Sequence, residues 1–167
     1  VEDTAMSAAV TAGGAAFRAA MARLPTGVSI VTTRHGGGAD HGFTAGTVTS
    51  VSLDPPLVSV CVARDANCYP AFAAASSFVV SVAGPGQAAL ARLFATKRAD
   101  KFAGGRFRRT GCGALAVDGA RLVLECRVWA RYAGGDHDIL VGEVIGGEVG
   151  EGDALVFVDR VFGTIAS

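Results

Sequence analysis

The stretch RLVLECRVWARY (121–132), with AGGDHD (133–138) and ILVGEVIGGEV (139–149) behind it, decides the architecture. In its first arm Leu122, Leu124, Cys126 and Val128 face one way, and Glu125, Arg127, Trp129 and Arg131 face the other. That period of two belongs to a strand with one apolar face. Gly134 to Asp138 supplies a turn, and 139–149 reads as the returning strand. Working outward, ALVFV (154–158) and RVFGTIA (160–166) read as the last strands. Upstream, SFVVSVA (77–83) and LVSVCVA (57–63) read as buried strands, and GVSIVTT (27–33) places Val28, Ile30 and Thr32 on one face. GFTAGTVTSVS (42–52) reads as one further strand region, and Asp54-Pro55-Pro56 interrupts the ladder and turns the chain. His35 to Asp40 looks like a hairpin loop. No helix follows it, which argues against a phosphate cradle.

Three helices interleave with these strands. Residues 15–24 carry Phe17, Ala20, Met21 and Leu24 at helical spacing and end at Pro25. Tyr69 to Ala75 starts near Pro70, and Gln87 to Ala95 carries Leu90, Leu93 and Phe94 on one stripe. Gly111 to Gly119 reads as loop. Strands outnumber helices by roughly seven or eight to three, and the joins are hairpin-like. The expected fold is mainly β: an antiparallel barrel with a few peripheral helices. Residues 1–14, small and weakly polar, are expected to be a frayed tail, and 15–167 a single domain.

Fifteen Lys and Arg balance fifteen Asp and Glu, which argues against generic binding of nucleic acid. Half of the 167 residues are hydrophobic and only 18% are charged, so a face buried against a second copy, most simply a two-fold dimer, is expected. No apolar stretch is long enough to span a bilayer, and the opening residues lack the pattern of a signal peptide. Cys61, Cys68, Cys112 and Cys126 form no CxxC and have no histidine at metal-finger spacing. Four free thiols in a reducing cytosol, with no metal, is the plain reading.

Four segments stand out chemically. Thr44, Thr47, Thr49, Ser50 and Ser52 put five hydroxyls within nine residues, with Gly46 among them allowing close backbone approach. Hydroxyls and free N–H groups bind a phosphate without a full charge, although the same residues suit an ordinary half-exposed strand. Residues 97–109 carry six basic residues and one acid. That is the look of a solvated loop, yet Lys101 or Arg98 could reach a phosphate held by the hydroxyl segment. His137, in a turn between strands, sits where a barrel rim would admit a ligand, or is simply a surface histidine. Cys61 reads as a small core hydrophobe, and Cys68 as a thiol with no evident base beside it.

The ordered set PTGVSIVTT (25–33), GFTAGTVTSVSLDPPLVSVCV (42–62), DKFAG (100–104), GDH (135–137) and VGEV (141–144) resembles the short-chain flavin reductase family over residues 15–165. The resemblance implies an antiparallel split β-barrel that binds FMN or FAD and forms a homodimer. It also implies hydride transfer from NADH or NADPH to flavin, and delivery of diffusible reduced flavin to a partner monooxygenase. On this resemblance Phe43, Thr44, Ala45 and Gly46 lie along the flavin ring, and Thr47, Thr49 and Ser50 near its phosphate. Cys61, Val62, Ala63, Asn67 and Cys68 wrap the flavin, and Lys101 and Phe102 fall on the family's KF pair. His137 lies near the nicotinamide and positions it, and Phe162 is an aromatic near the same pocket. The chain departs from the family pattern at Gly46, where Asn or Ser is common, and near Cys68. A non-enzymatic flavin carrier and a split-barrel FMN oxidase are the alternatives on the same fold.

Overall fold

The computed structural model describes residues 13–35, 38–98 and 100–166. The expected tail therefore lies outside the described residues, apart from Gly13 and Gly14. The hairpin that opened the sequence reading is the spine of the molecule. Its arms are β9 (Leu122–Gly134) and β10 (His137–Val149), joined by Gly135-Asp136 with Gly135 at φ 73°. They pair antiparallel from His137↔Gly134 to Val149↔Leu122, with register shifts at Val141/Gly142 and Val144/Gly146. Such irregularities bend and twist a strand pair, which helps a sheet curl around its own core.

Five more strands complete this sheet: β2 (Ser29–His35), β3 (Ala39–Ala45), β4 (Thr49–Leu53), β5 (Pro56–Ala63) and β6 (Ser77–Val82). The order across it is β3-β2-β6-β9-β10-β5-β4, all antiparallel. The region 42–52, expected as one strand, is thus two. They lie at opposite edges of the sheet, separated in sequence only by Gly46-Thr47-Val48. The chain crosses from edge to edge where Gly46 passes β1 (Thr26–Gly27); a Cβ there would stand 2.9 Å from Thr26 Oγ1. No ladder pairs β3 with β4 among the described residues. The Cys61 N–H donates to Thr47 Oγ1 (3.0 Å) and ties the crossing to β5.

Inside the curl, Val31, Val60, Val62, Phe72, Phe78, Val80, Cys126 and Leu140 form the main core, with Leu124 and Val128 packed against it. The expected apolar face of β9 is therefore the inner face. Its outer face is covered in part, because 107–117 form a small hairpin rather than a long loop. β7 (Phe107–Arg109) pairs with β8 (Leu115–Val117), and Ala114 and Ala116 bury Val79 and Val123. Glycines at 111, 113 and 119 hid this strand by making its surroundings read as turn.

A second sheet, ordered β1-β11-β12, stands beside the first. β11 (Ala154–Val158) and β12 (Val161–Ile165) turn at Asp159-Arg160, both at positive φ as a tight hairpin requires. The helices are α1 (Gly14–Met21), α2 (Tyr69–Ala74) and α3 (Ala88–Phe94). α3 buries Leu90, Ala91 and Phe94. α1 ends earlier than its periodicity suggested and has no buried residue among the described ones: Phe17, Met21 and Leu24 are exposed. No described helix is long and apolar enough to cross a membrane.

Candidate functional site

A cleft of about 370 Å³ opens where β3, β5 and α3 all end. β3 and its exit supply Phe43, Thr44, Ala45, Gly46 and Thr47. β5 and the turn after it supply Cys61, Ala63, Asp65, Ala66, Asn67 and Cys68. The end of α3 supplies Phe94 to Lys97, and Lys101 and His137 close the outline. Eleven of the residues singled out in the sequence meet here: Phe43, Thr44, Ala45, Gly46, Thr47, Cys61, Ala63, Asn67, Cys68, Lys101 and His137.

Five that the family resemblance placed at the site do not line it. Thr49 and Ser50 lie on the edge strand β4, exposed, opposite Ser59 and Val58. Val62 belongs to the main core. Phe102 packs on Phe94 and Phe107, with ring centroids 5.1 and 5.2 Å away. Phe162 stands in an adjoining hollow. Conversely, Asp65, Ala66, Phe94, Ala95, Thr96 and Lys97 line the cleft without having been singled out. Lys97 lay in the basic run, whereas Asp65 carried no local signal.

The hydroxyls divide by what they have left to give. Thr44 Oγ1 donates to the Ala91 carbonyl (2.6 Å) and pins α3 to β3, so its proton is spent. Thr47 Oγ1 accepts the Cys61 N–H and keeps its own proton to donate. Lys101 is buried and donates to the carbonyls of Phe94 (3.0 Å) and Gly42 (3.3 Å), leaving a third N–H. Burial pulls its pKa below the ordinary lysine value, opposed by Cys68. Burial pushes the Cys68 thiol up, opposed by Lys101. Arg98 is instead exposed and sits 3.7 Å from Asp100. Of the two cations the sequence offered, Lys101 is the one at the cleft.

The far wall is held by side chains. Lys97 Nζ lies 3.0 Å from Asp65, and Asn67 Nδ2 donates to the Lys97 carbonyl (2.8 Å). Behind the 64–69 turn, Tyr69 Oη donates to Asp138 Oδ2 (2.6 Å), and Arg64 donates through Nε and Nη2 to Oδ1 (2.8 and 2.6 Å). These bonds, Tyr69's first, hold the Asp138 carboxyl below the usual carboxylate range. The bond to Asp138 also raises the Tyr69 phenol. Because side chains alternate along a strand, Asp138 anchors the turn while His137 faces the cleft. His137 Nδ1 lies 2.7 Å from Asp136 Oδ1, a contact that lowers the Asp136 carboxyl. Among the described residues no group of three or more His, Cys, Asp or Glu is placed to hold a metal.

The cleft's small walls (Ala45, Gly46, Ala63, Ala95) leave room for a flat ring, and Thr47 and Lys101 offer donors to an anion. Residues 21–166 match the profile of the flavin reductase like domain. The chain belongs to this family. Over 152 residues it is 51% identical to the actinorhodin polyketide dimerase of Streptomyces coelicolor, covering 90% of this chain and 86% of that one. It is 46% identical to the NADH:riboflavin 5'-phosphate oxidoreductase of Streptomyces pristinaespiralis (84% and 80% covered). Among solved structures it superposes on the Streptomyces globisporus NADH:FAD oxidoreductase SgcE6, in complex with NAD and FAD fragments. That match has a TM-score of 0.83 and 37% identity, over 89% of this chain and 90% of that one. BorF, the flavin reductase component of a bacterial two-component tryptophan halogenase, gives a TM-score of 0.84 and 34% identity (93% and 99% covered). Membership accounts for the mainly β, antiparallel architecture read from the sequence.

Proposed function

We propose that this flavin reductase-like protein oxidises NADH, reduces FMN or FAD with the hydride, and releases reduced flavin to a separate monooxygenase. The observation that carries the reading is the convergence of segments 43–47, 61–68, 101 and 137 on one cleft with a flat, small-residue wall and two spare donors. Flavin, when bound, supplies the ring system that accepts the hydride. The chain's own part is to bind and align. Thr47 and Lys101 hold the phosphate end. Ala45, Gly46 and Ala63 let backbone approach the ring, so that N–H groups favour charge arriving on it. His137, oriented by Asp136, positions the nicotinamide and carries no obligatory proton. Alignment at roughly 3–3.5 Å between reacting atoms is the main catalytic contribution required.

The exposed Phe17, Met21, Leu24, Trp129, Tyr132, Ile145 and Val149 support a homodimer, because single copies seldom leave so many large apolar side chains in water. Four free cysteines support a cytoplasmic setting.

The test is the loss of nicotinamide absorbance when the protein meets NADH with FMN or with FAD. Oxidation well above the buffer rate is expected with at least one flavin, and none with either overturns the reading. In His137→Ala the KM for NADH is expected to rise several-fold more than the Kd for FMN. Equal losses would remove the positioning role.

A further inference from the structure

His137 rides on a projection. Every residue from Arg131 to Asp136, at the tip of the β9–β10 hairpin, is exposed, and His137 is the first residue of β10. Its ladders begin there too, opposite Gly134 on one side and Ala63 on the other. An exposed strand end is where a sheet opens most easily. The fastening comes from the next residue. Asp138, on the other face of the strand, accepts from Tyr69 Oη at 2.6 Å and from Arg64 Nε and Nη2 at 2.8 and 2.6 Å. Tyr69 opens α2, whose Phe72 is buried in the main core. At the far end of that helix the carbonyls of Phe72 and Ala75 accept from Arg131 Nη2. α2 is thus tied to both arms of the hairpin, to β10 through Tyr69 and to β9 through Arg131. The Arg64 N–H adds a bond to the Asp136 carbonyl (3.0 Å).

We infer that Asp138 is a positioning residue for hydride transfer: braced by Tyr69 and Arg64, it fixes where His137 meets the nicotinamide. The inference rests on the flavin reductase reading and deepens it. The two acids beside His137 divide the work. Asp136 lies 2.7 Å from the imidazole Nδ1 and turns the ring, but its own side chain is 94% exposed and braces nothing. The Asp138 side chain is 17% exposed and takes three bonds, so it can hold the backbone that carries the ring. Those bonds come from the turn that also brings Asn67 and Cys68 to the cleft. The segment that wraps the flavin and the histidine that meets the nicotinamide are therefore set at a common spacing. Hydride transfer falls steeply when two rings drift apart, which gives that spacing its value.

Tyr69→Phe is the test, because it keeps the ring and removes one bond to Asp138. Circular dichroism establishes that the variants are folded. With FMN saturating, the KM for NADH is expected to rise about threefold. Asp138→Asn, which weakens all three bonds, should raise it further. A double-mutant cycle then separates positioning from general loosening. In a His137→Ala background Tyr69→Phe is expected to leave the KM unchanged, because the side chain through which it acts is gone. A second readout needs no turnover. In proton–nitrogen spectra of the ligand-free protein, the imidazole signals that vanish in His137→Ala are expected to shift in Tyr69→Phe, while those of His35 stay in place. The inference is overturned if the KM does not rise, if the same rise persists without His137, or if the His137 signals do not move. Shifted His137 signals in a protein that never oxidises NADH would sink the reductase reading alone. Normal turnover with unmoved signals would sink this inference alone.

Discussion

The two walls of the cleft are held by different forces. The β3 wall is a ladder: Ser29 pairs with Ala45 and Ile30 with Thr44, and the Thr44 hydroxyl is committed to Ala91. The opposite wall, the 64–69 turn with the end of α3, rests on side chains: Arg64 and Tyr69 on Asp138, Lys97 on Asp65, and Asn67 on the Lys97 carbonyl. Backbone pairing tolerates changes of pH and salt, whereas an ionic wall depends on charged carboxylates and is screened by salt. The difference suits a site that must hold one reactant in register and still let a product leave.

The sharpest way to break the ladder wall is Gly42→Ala. The new Cβ would meet Phe94 Cε1 at 2.8 Å and the Val31 carbonyl oxygen at 3.0 Å, and the latter is backbone that cannot step aside. A loss of about 1–3 kcal/mol in urea unfolding is expected. An unchanged midpoint would show that this wall yields.

The ionic wall breaks at Asp138. Its pKa is depressed in the folded chain, so its contribution is fully present above the ordinary aspartate value, about 3.9. That contribution is lost as pH falls through the lower folded value. Asp138→Asn imposes the loss at neutral pH. Faster tryptic cleavage after Arg64 is expected in the variant, with the fold otherwise retained. Cleavage as slow as in wild type would show that the turn stands without the carboxylate.

The smallest effect is expected at Lys97→Ala. Lys97 and Asp65 are both exposed, and such pairs contribute about 0.2–1 kcal/mol. A melting shift of a degree or two, shrinking in high salt, is expected. A large, salt-independent shift would mean that this contact is more than a surface latch.

Most of the architecture was legible because a period of two marks 121–132, one apolar face marks 27–33, and short, nearly continuous apolar runs mark 57–63 and 77–83 as buried strands. What escaped notice escaped for physical reasons. The strand at 115–117 is short, and glycines near it mimic turns. The break at Gly46 interrupts a run whose composition is uniform, so only tertiary crowding against Thr26 reveals it. The stripe Phe17, Met21, Leu24 has the spacing of a packed helix face, yet among the described residues it stays exposed. At the site, residue types showed which segments carry chemistry but not which atoms remain free. Thr44 and Thr47 look alike in sequence, and only the structure distinguishes a spent hydroxyl proton from an available one. Asp65 was invisible because its partner, Lys97, lies 32 residues away.

The most direct test is anaerobic rapid mixing of NADH with the FMN-loaded protein, following the flavin absorbance band. The account expects that band to fade at a rate that saturates with NADH, as two ligands held together in one cleft require. Bound FMN that stays yellow at every NADH concentration would contradict it.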